Sequence, residues 1–140
     1  MKRFWLRPTK DLGLIERLNH RLFEEYPLGS ELERGQWWVL FDANGVPQGF
    51  CGGRPADQGG KLWFLSRAGI LTPARGLHLQ RRMIRRRVQA AKEQGAKAVI
   101  TYTGQYNIHS SNNLIACGFR LYEPSSWWAG KEMLYWWLNL

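Results

Sequence analysis

Cysteine is scarce in this sequence: Cys51 and Cys117 are the two present, far apart and in no metal or redox spacing. That excludes a disulfide framework and a cysteine-built metal centre, and the two are expected as free thiols in a reducing cytoplasm. No apolar run approaches the roughly 20 residues needed to cross a bilayer. Residues 1–11 are positively charged but lack the apolar core of a signal peptide. A cytoplasmic protein with no membrane partner is therefore expected. His20, His78 and His109 share no ligand spacing, so no metal is expected. Repeats, low-complexity tracts and dividing linkers are absent, and residues 1–140 read as a single domain. Acidic residues are also few: 11 Asp and Glu stand against 20 Lys and Arg, a net charge of +9. Such an excess favours a polyanionic partner, whether nucleic acid, a membrane surface or a phosphate-rich cofactor. Composition does not choose among them.

What the chain does have is a core. Hydrophobic residues make up 44% and charged residues 22%, ordinary for a globular protein. Six of its eight tryptophans form the adjacent pairs Trp37–Trp38, Trp127–Trp128 and Trp136–Trp137. In a strand, neighbours point to opposite faces, so each pair is expected to place one ring in the core and one outside.

Residues 2–7 read as a first strand, ended by Pro8. Leu14, Ile15, Leu18, Leu22 and Phe23 have helical spacing, with Thr9 or Asp11 as cap. Residues 24–34, broken by Pro27 and Gly29, form a turn or a second short helix. A strand over 36–41 meets the hairpin turn Asp42-Ala43-Asn44-Gly45 and returns over 46–52. After a loop over 54–60, residues 61–71 form a long apolar strand, interrupted at Ser66, Arg67 and Gly69 as by a bulge. Leu79, Met83, Ile84, Val88 and Ala91 then mark a helix closed by Gly95. A buried strand over 96–102, a helix over 107–117 stopped by Gly118, and strands over 119–122 and 131–138 complete the order. The pattern β, α, α, three strands, α, β, α, two strands predicts a mixed sheet with helices on its faces.

Chemistry concentrates between Leu71 and Ile84. A strand ends at Pro73, a loop with Gly76 follows, and a basic helix begins. N–H groups at a helix start are unpaired and the dipole there is positive, so anions are favoured. Arg75 precedes the turn, and Arg81 and Arg82 lie in the first helical turn. Arginine grips phosphate oxygens in a fork, and a pyrophosphate would fit. A plain strand-to-helix connection with a solvated basic face accounts for the same residues.

The run resembles the acyl-coenzyme A signature of the Gcn5-related N-acetyltransferases (GNAT), Arg/Gln-x-x-Gly-x-Gly/Ala after a strand ending in hydrophobic-x-Pro. Leu71-Thr72-Pro73 matches the strand end and Arg75 the first signature position, while Gly76 matches a glycine common at the next place. His78 and Gln80 stand where the two signature glycines belong, and the gap from Pro73 to Arg75 is one residue short. A second segment, residues 107–119, is similar to the family's later motif, Asn-x-x-Ala/Ser and a helix ending in Gly-Phe. Asn107, Ser110, Gly118 and Phe119 fall at the matching places.

The resemblance implies an α/β (α+β) fold: a mixed, mostly antiparallel sheet of six or seven strands, flanked by about four helices and splayed between strands 4 and 5. It implies acetyl-CoA as cosubstrate, with pantetheine entering that splay and pairing with the backbone near Ile70 and Leu71. The pyrophosphate would lie over Leu77, His78, Leu79, Gln80, Arg81 and Arg82, and Asn107 and Ser110 would face the pantetheine arm. A primary amine would attack the thioester directly. Many relatives place an acidic tyrosine four residues before the Gly-Phe pair; here that residue is Leu114. Tyr106, with Tyr122, and Glu25, with Glu24, are the candidates for acid and base. Trp127 and Trp128 are the candidates for an acceptor wall. The aromatic tail over 135–137 would suit a homodimer. A nucleic-acid-binding module built on Arg81, Arg82, Arg85, Arg86 and Arg87 is the alternative, and an inactive acyl-CoA-binding protein is another.

Overall fold

The computed structural model describes residues 3–140 of the chain. Lys2, placed by the sequence in the first strand, lies outside them. The elements run β1 (Phe4–Thr9), α1 (Leu12–Leu22), α2 (Glu31–Arg34), β2 (Gln36–Asp42), β3 (Pro47–Pro55) and β4 (Leu62–Ile70). A 3-10 turn (Thr72–Ala74), α3 (Leu79–Glu93), β5 (Ala98–Gly104), α4 (Ile108–Ala116), β6 (Arg120–Leu121) and β7 (Met133–Asn139) follow. The seven strands form one sheet in the order β1-β2-β3-β4-β5-β7-β6. Pairs β1·β2, β2·β3, β5·β7 and β6·β7 are antiparallel, whereas β4 and β5 are parallel. This is the α/β fold the sequence implied. No helix among the described residues is long and apolar enough to cross a membrane.

Contacts divide the chain into two compact units. The first comprises the residues up to Arg54 together with Ser66–Met83. Here α1 lays Ile15, Leu18 and Leu22 against Trp37, Val39 and Phe50. Its start is fixed locally, because Asp11 Oδ1 accepts the Leu14 N–H at 3.1 Å. Both Trp37 and Trp38 are buried, at 2% and 3% exposure, which corrects the expectation of one ring inside and one out. An internal strand is covered on both faces, so alternation sorts the rings by face without exposing either. β4 runs unbroken through the polar interruption, and those residues serve packing. A Cβ on Gly69 would lie 2.9 Å from Leu22 and Phe23. The Arg67 guanidinium sits 5.2 Å over the Phe23 ring and donates to Asn19 Oδ1 at 3.0 Å and to the Tyr26 carbonyl.

In the same unit Arg54 Nε and Nη2 grip the Glu31 carboxylate at 2.6–2.8 Å, tying α2 to β3. The hydrogen bonds from Arg54 hold the Glu31 carboxyl below its usual value, against the opposing effect of partial burial. A depressed carboxylate contributes stability above its unfolded pKa and loses it as pH falls through the folded one. Glu31→Gln is therefore expected to cost about 1 kcal/mol at pH 7. The gap to the unmodified protein should close as urea midpoints are followed down through roughly pH 4.

The second unit comprises Pro55–Leu65 and Ile84–Leu140. The parallel ladder holds three pairs, Leu62↔Ala98, Trp63↔Val99 and Phe64↔Ile100, and then stops, the splay expected between strands 4 and 5. Beyond it Thr101 Oγ1 donates to the Leu65 carbonyl at 2.8 Å. Trp136 is buried and its Nε1 donates to Thr103 Oγ1 at 3.0 Å. Leu114 packs at 5% exposure on α4. Of the two final strands, β6 is shorter than the 119–122 expected, and β7 begins two residues later than 131.

Candidate functional site

β4 ends at Ile70 and the backbone turns sharply. Leu71 N–H donates to the Gln48 carbonyl at 2.8 Å, the Ala74 N–H to the Leu71 carbonyl at 3.0 Å, and the Arg75 N–H to Thr72 at 3.1 Å. Arg75 folds back, its Nε donating to the Ile70 carbonyl at 2.9 Å. Two left-handed residues follow, Gly76 at φ 82° and His78 at φ 57°. His78 is the one non-glycine with a positive φ among the described residues, a conformation that costs an ordinary side chain about 1–2 kcal/mol and that histidine tolerates better than most. Its carbonyl accepts the Arg82 N–H at 3.3 Å and so opens α3.

The resulting turn leaves backbone N–H groups able to donate to an anion. The N–H groups of His78, Leu79 and Gln80 find no acceptor among the described residues. Left-handed residues alternating with right-handed ones aim successive N–H groups into one concavity, and the helix dipole adds positive charge. Ile70, Leu71, Arg75, Gly76, Leu77, His78, Leu79, Gln80, Arg81 and Arg82 thus meet in one stretch of the first unit. Their side chains do less than the sequence suggested. Arg82 Nη1 donates to the Phe4 carbonyl at 2.8 Å, anchoring the helix start to β1. Arg87 is buried at 3%, and Arg81 and Arg86 are half-buried with partners inside the protein. The expected run of five arginines therefore leaves Arg82 and Arg85 exposed.

The second unit holds the other candidates. Asn107 caps α4, its Oδ1 accepting the Ser110 N–H at 3.1 Å. Tyr106, just before it, is 86% exposed. In the first unit, Glu25 is exposed after α1, with no hydrogen bond or ion pair among the described residues. The tryptophan pair is split. Trp128 packs edge-on against Phe64 and Tyr102, at 5.6 and 5.5 Å between ring centroids. Trp127 instead lines an open pocket of about 520 Å³, with Tyr122, Glu123 and Met133 among its neighbours. The Tyr135 hydroxyl fixes this loop, accepting the Ala129 N–H at 3.0 Å and donating to the Gly130 carbonyl at 2.6 Å. Sequence reasoning named Trp127 here as part of an acceptor wall but missed Glu123 and Glu132 beside it. The available signal was the pair of glutamates, Glu123 and Glu132, bracketing the tryptophan loop in a chain poor in acids. Among the described residues no group of three or more His, Cys, Asp or Glu could hold a metal.

Residues 4–119 match the family model described as the acetyltransferase (GNAT) family. No curated protein sequence matches the chain. Solved structures do. An IAA acetyltransferase from Bacillus cereus superposes with a TM-score of 0.82 at 14% identity, over 99% of this chain and 100% of that one. A GNAT family acetyltransferase from Elizabethkingia anophelis, with acetyl-CoA bound, gives 0.80 at 16% identity over 98% of each chain. A Bacillus subtilis acetyltransferase in complex with CoA gives 0.75 at 17% identity, over 100% of this chain and 99% of that one. At such identities the likeness is one of fold.

Proposed function

Since the chain belongs to the GNAT acetyltransferase family, we propose that it binds acetyl-CoA, with the pyrophosphate on the N–H groups that open α3, and passes the acetyl group to a primary amine. The observation that carries this reading is the left-handed backbone at His78. The family signature has glycine at that place, and a left-handed turn is what glycine supplies most easily. Here histidine adopts the turn itself, so the concavity persists although the motif is altered. Gln80 replaces the second glycine at a helical position with no positive φ, where the backbone makes no demand for glycine.

In the reaction a neutral amine attacks the thioester carbonyl; a C–N bond forms, the C–S bond breaks and the CoA thiolate departs as the amine loses its proton. Most of the acceleration comes from holding the two reactants together. A thiolate leaves a tetrahedral intermediate far more readily than an alkoxide or amide ion, so a buried Leu114 in place of a tyrosine is compatible with turnover. Tyr106 and Glu25, the candidates for acid and base, are both exposed. Asn107 and Ser110 stand in the other unit and are carried as pantetheine contacts by the resemblance alone. We propose that residues 1–140 act as one catalytic domain in the cytoplasm.

Isothermal titration with acetyl-CoA and with free CoA, at two salt concentrations, tests the reading. Micromolar binding that weakens as salt rises is expected, because phosphate contacts are screened. No binding at millimolar ligand would overturn it.

A further inference from the structure

Arg67 lies on β4 in the first unit, half-buried, and the acetyltransferase reading gives it no part. Its side chain is closely held. Nη1 uses both of its hydrogens, one on Asn19 Oδ1 at 3.0 Å and one on the Tyr26 carbonyl. Asn19 is 4% exposed and is itself fixed, because its Nδ2 donates to the same carbonyl at 3.1 Å. The guanidinium sits 5.2 Å over the Phe23 ring, and that ring packs so tightly on β4 that a Cβ on Gly69 would meet it at 2.9 Å.

All of these partners are neutral. Among the described residues no carboxylate pairs with Arg67, and its Nε and Nη2 have no acceptor. Neither atom is among the buried groups left without a partner, so this edge is open to solvent. Glu24 and Glu25, just before Tyr26 in sequence, make no ion pair among the described residues. Nε and Nη2 form one edge of the guanidinium, from which two N–H groups point side by side at the spacing of carboxylate oxygens. The same edge is in use elsewhere in this unit: Arg54 grips Glu31 through Nε and Nη2 at 2.6–2.8 Å. Arg54 has its carboxylate within the chain, and Arg67 does not. A half-buried charge among neutral partners is incompletely compensated. An edge already oriented also costs a ligand little in ordering.

We propose that the Nε/Nη2 edge of Arg67 is a carboxylate-binding site of the first unit, taking a small organic acid in the way that Arg54 takes Glu31. The fixed positive charge disfavours cations, and a neutral amide offers one acceptor oxygen where a carboxylate offers two. The site does not depend on the acetyltransferase reading.

The test titrates butyrate into isotope-labelled protein at constant ionic strength and follows the arginine Nε–H signals by NMR, with butyramide as the neutral isostere. The Arg67 signal, assigned through its own side chain, is expected to shift saturably with butyrate at millimolar concentration. Butyramide should bind at least about tenfold more weakly. Arg7, exposed and with no side-chain partner among the described residues, reports the non-specific response. Arg67→Lys keeps the charge but lacks the paired N–H groups. Its butyrate affinity, read from the backbone N–H signals of Asn19 and Tyr26, should fall by about tenfold. A saturable shift no larger at Arg67 than at Arg7 overturns the proposal, as does an equal response to butyramide; both readings need only the unmodified protein. A well-folded Lys variant that binds butyrate as tightly overturns it too.

Discussion

Replacing Gln80 by glutamate is expected to weaken acetyl-CoA binding by roughly thirtyfold while leaving the fold as stable as before, or slightly more so. The two effects have opposite signs because they act through the same field. Gln80 is the second residue of α3, half-buried, and its N–H has no acceptor among the described residues. The first turn of α3 holds no acidic residue. A carboxylate near a helix N-terminus gains about 0.3–1 kcal/mol from the exposed N–H groups and the dipole. In the proposed complex those same groups face the pyrophosphate. A negative charge about 6 Å from another, at an effective dielectric near 20 and with some screening, repels it by about 2 kcal/mol. That is roughly thirtyfold in affinity. Calorimetry with acetyl-CoA and a thermal melt on the same preparation would check both halves. Unchanged affinity in a well-folded variant would place the pyrophosphate elsewhere.

The sequence carried local features well, because their causes are local. The turn at 42–45 was readable from Asp-Ala-Asn-Gly: Asp42 Oδ1 accepts the N–H groups of Asn44 and Val46, each at 2.9 Å, and Gly45 takes φ 76°. The Val46 N–H, with help from Gln48 and Asn44, also holds the Asp42 carboxyl below its usual value. Helix α1 was readable from its stripe and from Asp11. The end of β4, the turn at Gly76 and the start of α3 were readable as a strand, a glycine and a helix start. What the letters concealed was that His78 would take the left-handed conformation itself, since a side chain at a glycine position reads as a departure until its φ is known. Long-range cover was equally hidden. Alternation separates Trp37 from Trp38 by face, but whether a face is buried depends on strands distant in sequence. The splitting of Trp127 from Trp128 depends on Phe64 and Tyr102, which approach Trp128 only when β4 and β5 align.

The largest stability loss is expected from a single methyl group, in Gly52→Ala. Gly52 pairs with Trp37 across β2 and β3. A Cβ built there would lie 2.4 Å from Trp37 Cζ3, 2.5 Å from Cε3 and 2.8 Å from Ser66 Oγ. Real contacts of a Cβ are essentially never so short, so something must shift, and the surroundings resist. Trp37 is 2% exposed within the cluster of Ile15, Leu18, Val39 and Phe50. Its indole Nε1 also donates to the Leu32 carbonyl of α2 at 2.9 Å. Moving the ring therefore strains the core and strips a hydrogen bond from the short helix that Glu31 ties to Arg54. Overpacking usually costs about 1–3 kcal/mol; with the hydrogen bond added, about 3 kcal/mol or more is expected, near 10 °C in Tm. Gly59→Ala is the matched control, because its Cβ would meet nothing closer than Lys61 Cγ at 3.8 Å. Trp37→Phe should recover part of the loss in the Gly52→Ala background while destabilising the unmodified protein, a non-additivity that only direct contact produces. If Gly52→Ala melts within a degree or two of Gly59→Ala, Trp37 does not press on β3.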